Sequence, residues 1–314
     1  MRCVVTGGAG FIGSNLVETL LGQGWDVTVL DDLSTGKREN IASFIADGRL
    51  RLIVGSVADR AVCASACEGA DYIFHEAALC SVPLSISQPE RTLETNVGGA
   101  ANVFLAARDA GVKRVVWASS TAVYGNSDVL PNSESMPLRP LSPYAASKAA
   151  GEMLASAFSE VYGLPVISLR YFNVFGKHQD PFSAYAAVIP LFISKLIRGE
   201  RPVIYGDGEQ TRDFVHVENV VEANICAAVH AGEKASGRAF NIGCGERMSI
   251  NALYRIIAEE LGADLEPEYA PPRHGDVRDS VADITAARAA FGYEPSVDLR
   301  EGLKRSLEWY RENL

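Results

Sequence analysis

MRCVVTGGAGFIG, residues 1–13, decides the fold. An apolar run at 3–5 ends in glycines at 7, 8, 10 and 13, and an amphipathic stretch follows at 15–21. The order reads strand, tight turn, helix. Glycines at such a turn let the backbone approach a bound group, while the helix start turns unpaired N–H groups and positive dipole toward an anion. The G-x-x-G-x-x-G spacing from Gly7 through Gly10 to Gly13 suits the pyrophosphate of a dinucleotide. A second apolar run at 27–30 delivers Asp31 eighteen residues after Gly13. A carboxylate there would accept hydrogen bonds from an adenosine ribose and repel a 2′-phosphate, so NAD is expected over NADP.

Outward from this unit, strand-like runs recur at 50–54, 72–74, 114–118 and 165–169, separated by alanine- and leucine-rich segments of helical period. Repeated βαβ units predict an α/β fold with a doubly wound parallel sheet and ligands at the carboxyl ends of its strands. The glycine turn, Asp31, the string His75-Glu76-Ala77-Ala78, the pair Ser119-Ser120 and the string Tyr171-Phe172-Asn173 all follow such runs and should line one edge. After residue 173 the pattern loosens into apolar helical stretches near 188–197 and 217–230 and a mixed tail. This predicts a cofactor-binding domain at 1–173 and a smaller mixed α/β C-terminal lobe at 174–314, some of whose segments return to the first domain.

Hydrophobic residues make up 47% of the 314 positions and charged residues 22%, with a net charge of −10 and a pI near 5.1. That balance suits a globular enzyme and argues against nucleic acid or an anionic membrane as partner. No apolar run reaches about 18 residues, and a glycine loop beginning at residue 7 leaves no room for a signal peptide, so a cytoplasmic location is expected. Six cysteines at 3, 63, 67, 80, 226 and 244 show no C-x-x-C spacing and no histidine cluster. Neither disulfides nor a metal site are expected, and Cys63 and Cys67 should be a buried pair of small side chains.

The second informative stretch is SPYAASKAAGEM at 142–153, preceded by ASSTAVYG at 118–125. Tyr144 and Lys148 fall on one helix face about a turn apart, so an ammonium can sit near a phenol and favour phenolate. A free tyrosine titrates near 10, and each unit of lowering represents about 1.4 kcal/mol. A base working near neutrality needs several units, from Lys148 and from a second cation, a role that an oxidised nicotinamide ring would fill.

Eight strings in order, TGGAGFIG, LDDLSTG, HEAA, ASSTAVYG, SPYAASK, LRYFNVFG, GDGEQTRDFVHV and RHGDVRDS, resemble the motifs of the extended short-chain dehydrogenase/reductase family, in its nucleotide-sugar epimerase and dehydratase branch. The resemblance implies a Rossmann-type domain holding NAD and a C-terminal lobe holding a nucleoside diphosphate sugar. It implies Tyr144 as base, Lys148 as its partner and a ligand of the nicotinamide ribose, and Ser120 as the hydroxyl on the sugar 4-oxygen. Carbon 4 would give hydride to NAD while Tyr144 takes the hydroxyl proton, and return of hydride to the other face of the 4-keto sugar would invert that carbon. Cofactor contacts are implied at Gly7, Gly10, Phe11, Ile12, Gly13, Asp31, Asp32, Ser34, Thr35, Gly36, Ser56, Val57, Ala77, Ala78, Asn96, Ser119 and Tyr171. Ser56 stands where the family usually places an aspartate near adenine.

Branch members that dehydrate carry an acidic pair where this chain has Thr121 and Ala122. Alanine cannot move a proton, so 4-epimerisation is favoured over 4,6-dehydration, while reductases of 4-keto sugars fit less well with an NAD-selecting Asp31. Asn173, Arg212 and Arg273 match diphosphate ligands, and two guanidiniums suit a doubly charged group. Val203 and Tyr205 match the uracil site and Asp276 a ribose-binding acid. LCSVPLS, RYFNVFGKHQDP and AYAAVIP resemble epimerases acting on UDP-N-acetylglucosamine, which implies substrate-side roles for Ser81, Gln179, Ala187 and Val188. Cys80 replaces that subgroup's glycine. Ser280 matches a position bordering the sugar's carbon 2 substituent, where epimerases confined to unacetylated sugars carry tyrosine. UDP-glucose or UDP-glucuronate epimerisation is the alternative, and a non-catalytic NAD-binding sensor or scaffold is the alternative of another class. The resemblance also implies a homodimer packed through helices near 89–110 and 143–162.

Overall fold

The computed structural model describes residues 1–182, 187–272 and 277–314. Seven strands, β1 (Arg2–Thr6), β2 (Asp26–Asp31), β3 (Leu50–Val54), β4 (Tyr72–His75), β5 (Arg114–Ser120), β6 (Val166–Tyr171) and β7 (Ala239–Ile242), form one sheet. Their order is β7-β6-β5-β4-β1-β2-β3 and every pairing is parallel. Such strands are covered on both faces and read as continuous apolar runs, which is why all six were visible in the sequence before β7. β7 is only four residues, AFNI, too short to show a period. The order reverses between β1 and β4, opening a crevice at the carboxyl ends of the strands.

One face of the sheet carries the helices Phe11–Gly22 and Val217–Val229, whose Leu16, Val17, Leu20, Val220 and Ala223 share a core with β1 and β2. The other face carries Arg60–Cys67, Gly99–Ala110 and Pro143–Tyr162. The last of these starts on Ser142, whose Oγ accepts from the Ala145 N–H, has proline in its first turn, and stops at Gly163 with a left-handed φ of 64°. Cap, proline and glycine are the expected stop and start signals, so this helix begins beside the ends of β5 and β6.

The single long helix expected over 89–110 is instead broken into Pro89–Leu93, a π-helical turn Glu94–Gly98, and Gly99–Ala110. The buried Asn96 side chain in that turn donates to Leu79 O and Ser147 Oγ and accepts from Leu79 N. One residue of slack in the helix aims it there. Cys63 and Cys67 lie buried on their helix, and all six cysteines are free thiols.

A third core joins Val188–Ile197, Ile250–Leu261 and Leu299–Asn313. The strands beside it are two or three residues long: Asn173–Phe175 with Phe214–His216, Val203–Tyr205 with Glu268–Ala270, and Thr211–Arg212 with Met248–Ser249. Among the described residues no helix is long and apolar enough to cross a membrane, and no cluster of side chains could hold a metal ion.

Candidate active site

The turn after β1 is built by sterics. Gly7 has φ +68° and donates its N–H to Leu30 O at 2.8 Å, and a Cβ on Gly13 would stand 2.1 Å from Gly7 O. Only hydrogen fits at position 13. The helix then starts at Phe11 with no side-chain cap, so its first N–H groups stay available to an anion. Asp31, at the end of β2, accepts from Ala9 N at 2.9 Å and Leu33 N at 2.8 Å. Burial raises its pKa against those two bonds, and the carboxylate pins the glycine turn to the second strand.

A cleft of about 500 Å³ runs from this turn across the strand ends. Gly7, Gly10, Phe11, Ile12, Gly13, Asp31, Asp32, Ser34, Thr35, Gly36, Val57, Ala77, Ala78, Ser119 and Tyr171 all line it, with Ser120, Tyr144, Lys148, Ser81, Gln179 and Ala187 farther along. Two expected cofactor residues do not. Ser56 turns its Oγ to the Ala58 N–H at 3.2 Å, and Asn96 spends its amide within the π-turn described above. The cleft also takes in Lys37, Asn40, Thr95, His178 and the half-buried Glu76. Glu76 is expected on this edge from the string that follows β4, whereas Lys37, Asn40, Thr95 and His178 carry no spacing signal that would have singled them out.

Lys148 is 3% exposed, its Nζ donating to Ala118 O at 2.7 Å and lying 5.0 Å from the Trp117 ring and 5.9 Å from the Tyr144 ring. Burial lowers its pKa, opposed by negative charge at Cys80, Glu76 and Glu152. Tyr144 is pushed above its ordinary value by burial and by Cys80, with a hydrogen bond to Ser120 opposing. Helical spacing therefore does bring the pair together. Its expected effect on the phenol is outweighed by burial, because the ammonium is bonded to a carbonyl rather than to the phenol oxygen. A phenolate at Tyr144 would need a second cation beside it, a role a positively charged nicotinamide in this cleft would fill.

Beneath β5 and β6 lies a buried network that sequence reasoning missed. Glu152 accepts from Ser119 Oγ at 2.5 Å and takes a two-pronged ion pair from Arg170, at 2.9 and 2.7 Å. Arg170 also donates to Tyr124 OH at 2.8 Å, and that phenol donates to Asn241 Oδ1 at 2.6 Å. The chain of bonds locks β5, β6, β7 and the helix Pro143–Tyr162 in one register. Ser119 lines the cleft, but its hydroxyl is committed to Glu152.

A second cavity of about 320 Å³ is lined by Asn173, Val188, Val203, Tyr205 and Arg212. It shares Val174 and Ala187 with the first, so the two adjoin at those residues. Gln210, unremarked in the sequence, lines it with Nε2 donating to Tyr205 O at 2.7 Å. Ser280 lines neither cavity: it is 6% exposed, with its N–H on Thr211 O at 3.2 Å. Arg273 and Asp276 lie outside the described residues.

Residues 3–243 match the NAD dependent epimerase/dehydratase family. The chain belongs to that family. A UDP-N-acetylglucosamine 4-epimerase from Methanobrevibacter ruminantium, solved with UDP-N-acetylmuramic acid, is 41% identical with a TM-score of 0.95, covering 100% of this chain and 99% of that one. A UDP-glucose 4-epimerase of Thermus thermophilus, solved with NAD, is 35% identical with a TM-score of 0.88 over 100% of both chains. The UDP-glucose 4-epimerase of Mycolicibacterium smegmatis is 41% identical over 99% of both. The cofactor of this family is NAD, and the crevice, glycine turn and Asp31 of this chain fit it.

Proposed function

We propose that this chain is a UDP-sugar 4-epimerase whose main substrates are UDP-N-acetylglucosamine and its C4 epimer. The observation that carries the sugar assignment is that small side chains, Ala78, Cys80, Ser81 and Ala187, line the cleft that holds Tyr144, and Ala187 also lines the second cavity. Small residues leave space for an N-acetyl group beside the reacting sugar. The full-length likeness to the Methanobrevibacter enzyme supports the same reading. Both the acetylated and the plain-sugar relatives are 4-epimerases.

In this reading Tyr144 takes the proton of the sugar 4-hydroxyl, Ser120 holds that oxygen, and Lys148 supplies positive charge beside the phenol. NAD supplies a reversible hydride acceptor, so nothing is consumed. Arg212, Asn173 and Arg273 hold the diphosphate, Asp276 binds the ribose, and Tyr205 and Val203 receive the uracil. The segment Thr121–Tyr124, where dehydratases of this branch keep an acidic pair, carries no acidic residue, which favours epimerisation over 4,6-dehydration. Residues 1–173 serve the cofactor and 174–314 mainly the substrate.

The working unit is a cytoplasmic homodimer, a reading supported by apolar side chains left exposed on the two helices expected to pair, Leu93 at 44% and Met153 at 65%. Light scattering should give twice the chain mass. Incubation with each UDP-sugar, with the products separated by chromatography, tests the activity. UDP-N-acetylglucosamine should turn over with kcat/KM at least equal to that for UDP-glucose, and Cys80→Phe should lower the first selectively. Turnover of plain sugars alone would sink the assignment.

A further inference from the structure

Cleft charges and their partners leave one carboxylate without an assigned task. Glu152 is neutralised by Arg170. The Cys80 thiol is raised by burial. Glu76 remains, and its geometry is directed. Asn224 Nδ2 donates to both Val220 O at 2.9 Å and Tyr171 OH at 2.8 Å, so the Tyr171 phenol must pass its own proton to Glu76 Oε1, at 2.8 Å. That bond holds the carboxylate on the cleft wall it shares with Lys148.

We propose that Glu76 is a positioning residue of the catalytic site, whose carboxylate keeps the buried Lys148 ammonium charged and so governs how readily Tyr144 gives up its proton. The proposal rests on Tyr144 acting as the base. Negative charge at Glu76 is felt at Lys148, whereas the influences on Tyr144 are burial, Cys80 and Ser120. Glu76 thus acts through the lysine and not directly on the phenol. Without it, the ammonium keeps its bond to Ala118 O and its two ring faces, but loses the carboxylate that no arginine cancels.

The groups facing Glu76 are Lys148 from the helix Pro143–Tyr162, Tyr171 from β6 and the Cys80 thiol from its own loop. The helix Val217–Val229 presents the neutral Asn224, and the neighbouring His75 turns its Nδ1 to Thr6 Oγ1 at 2.7 Å. Burial raises the Glu76 carboxyl to about 7, with Tyr171 and Lys148 opposing. Its charge is therefore present above neutrality and lost below it. Catalysis should follow the same sign.

Glu76→Gln keeps an acceptor for Tyr171 and removes the charge. At pH 8.5 its kcat should fall about tenfold, the equivalent of one unit of proton affinity at Lys148, with KM unchanged. Below pH 6, where the wild-type carboxyl is itself neutral, the two proteins should converge. A wild-type to variant ratio that stays constant from pH 6 to 9 would mean a merely structural role and overturn the proposal. Tyr171→Phe removes the bond that lowers the Glu76 carboxyl and should move the wild-type limb to higher pH. Infrared difference spectra without substrate give a readout independent of turnover: a carboxyl titrating near neutrality, absent in Glu76→Gln, is required. Its presence in both proteins would also overturn the proposal. Failure to turn over any UDP-sugar would count against the epimerase reading, while the infrared titration would still decide the state of Glu76.

Discussion

The sheet half and the lobe build their sites by different means. In the sheet half, functional positions sit at the ends of parallel strands of four to seven residues, β6 being buried along all six of its positions. In the lobe they sit on strands of two or three residues and the loops between them. A backbone-made site is specified by what cannot fit, and a side-chain-made site by what happens to reach. Perturbing the first should disturb assembly and chemistry, whereas perturbing the second should change affinity.

The largest contrast lies in turnover. Tyr144→Phe removes one oxygen at the reacting centre and should cost about 10⁴ in kcat or more, the upper end for a positioned proton acceptor, while NAD still copurifies and is released on denaturation. Arg212→Leu, in the second cavity, should raise KM and leave kcat within a few-fold, the signature of lost binding that does not change in the transition state. Equal losses of kcat in both variants would erase the distinction.

Next come the ion pairs. Glu152→Ala strands the Arg170 guanidinium, whose side chain is 5% exposed, and should destabilise the fold by about 3–5 kcal/mol in urea unfolding. The lobe's Asp207–Arg278 pair has comparable hydrogen-bond lengths of 2.9 and 3.1 Å, but its side chains are 60% and 58% exposed. Asp207→Ala should leave the unfolding midpoint nearly unchanged, since solvent screens such an exposed pair.

Two glycines sharpen the comparison further, since an added Cβ meets an atom at 2.1 Å from Gly13 and at 2.0 Å from Gly208. At Gly13 that atom is a backbone carbonyl, at Gly208 the tip of the Asn251 side chain. Gly13→Ala should therefore cost about 3 kcal/mol or more and abolish NAD retention. Gly208→Ala should cost about 1–2 kcal/mol, from its left-handed φ of +76°, and leave NAD bound.

The smallest effect is one that the halves share. Burial lowers His75 of the sheet to about 3 and His216 of the lobe to about 4. Both rings are neutral in the fold, so the unfolded chain binds more protons below its own value of about 6.5 and stability falls as pH drops. Each ring contributes about 1.4 kcal/mol per pH unit through that window, and the raised Glu76 carboxyl offsets one ring. His216→Phe, which keeps the edge contact with Phe175, should flatten the slope of unfolding free energy between pH 6.5 and 5.

Sequence by itself determined the backbone-made half of this protein. Glycines at 7, 10 and 13, the apolar runs of β1 to β6, Asp31 and a helix near 143–162 carrying Tyr144 and Lys148 were all legible. Backbone sterics and strand burial are local rules that leave a period or a punctuation mark in the chain. Only tertiary structure decided the rest. The π-turn that commits Asn96 to Leu79 and Ser147, the Glu152–Arg170 pair under Ser119 and the four-residue β7 depend on partners up to more than a hundred residues away. The phenol makes the same point: four-residue spacing put Lys148 beside Tyr144, but the burial that raises the phenol and the carbonyl that takes the ammonium belong to the packed fold. Proximity along a helix is set by its pitch, whereas desolvation and hydrogen-bond competition are set by everything packed around it.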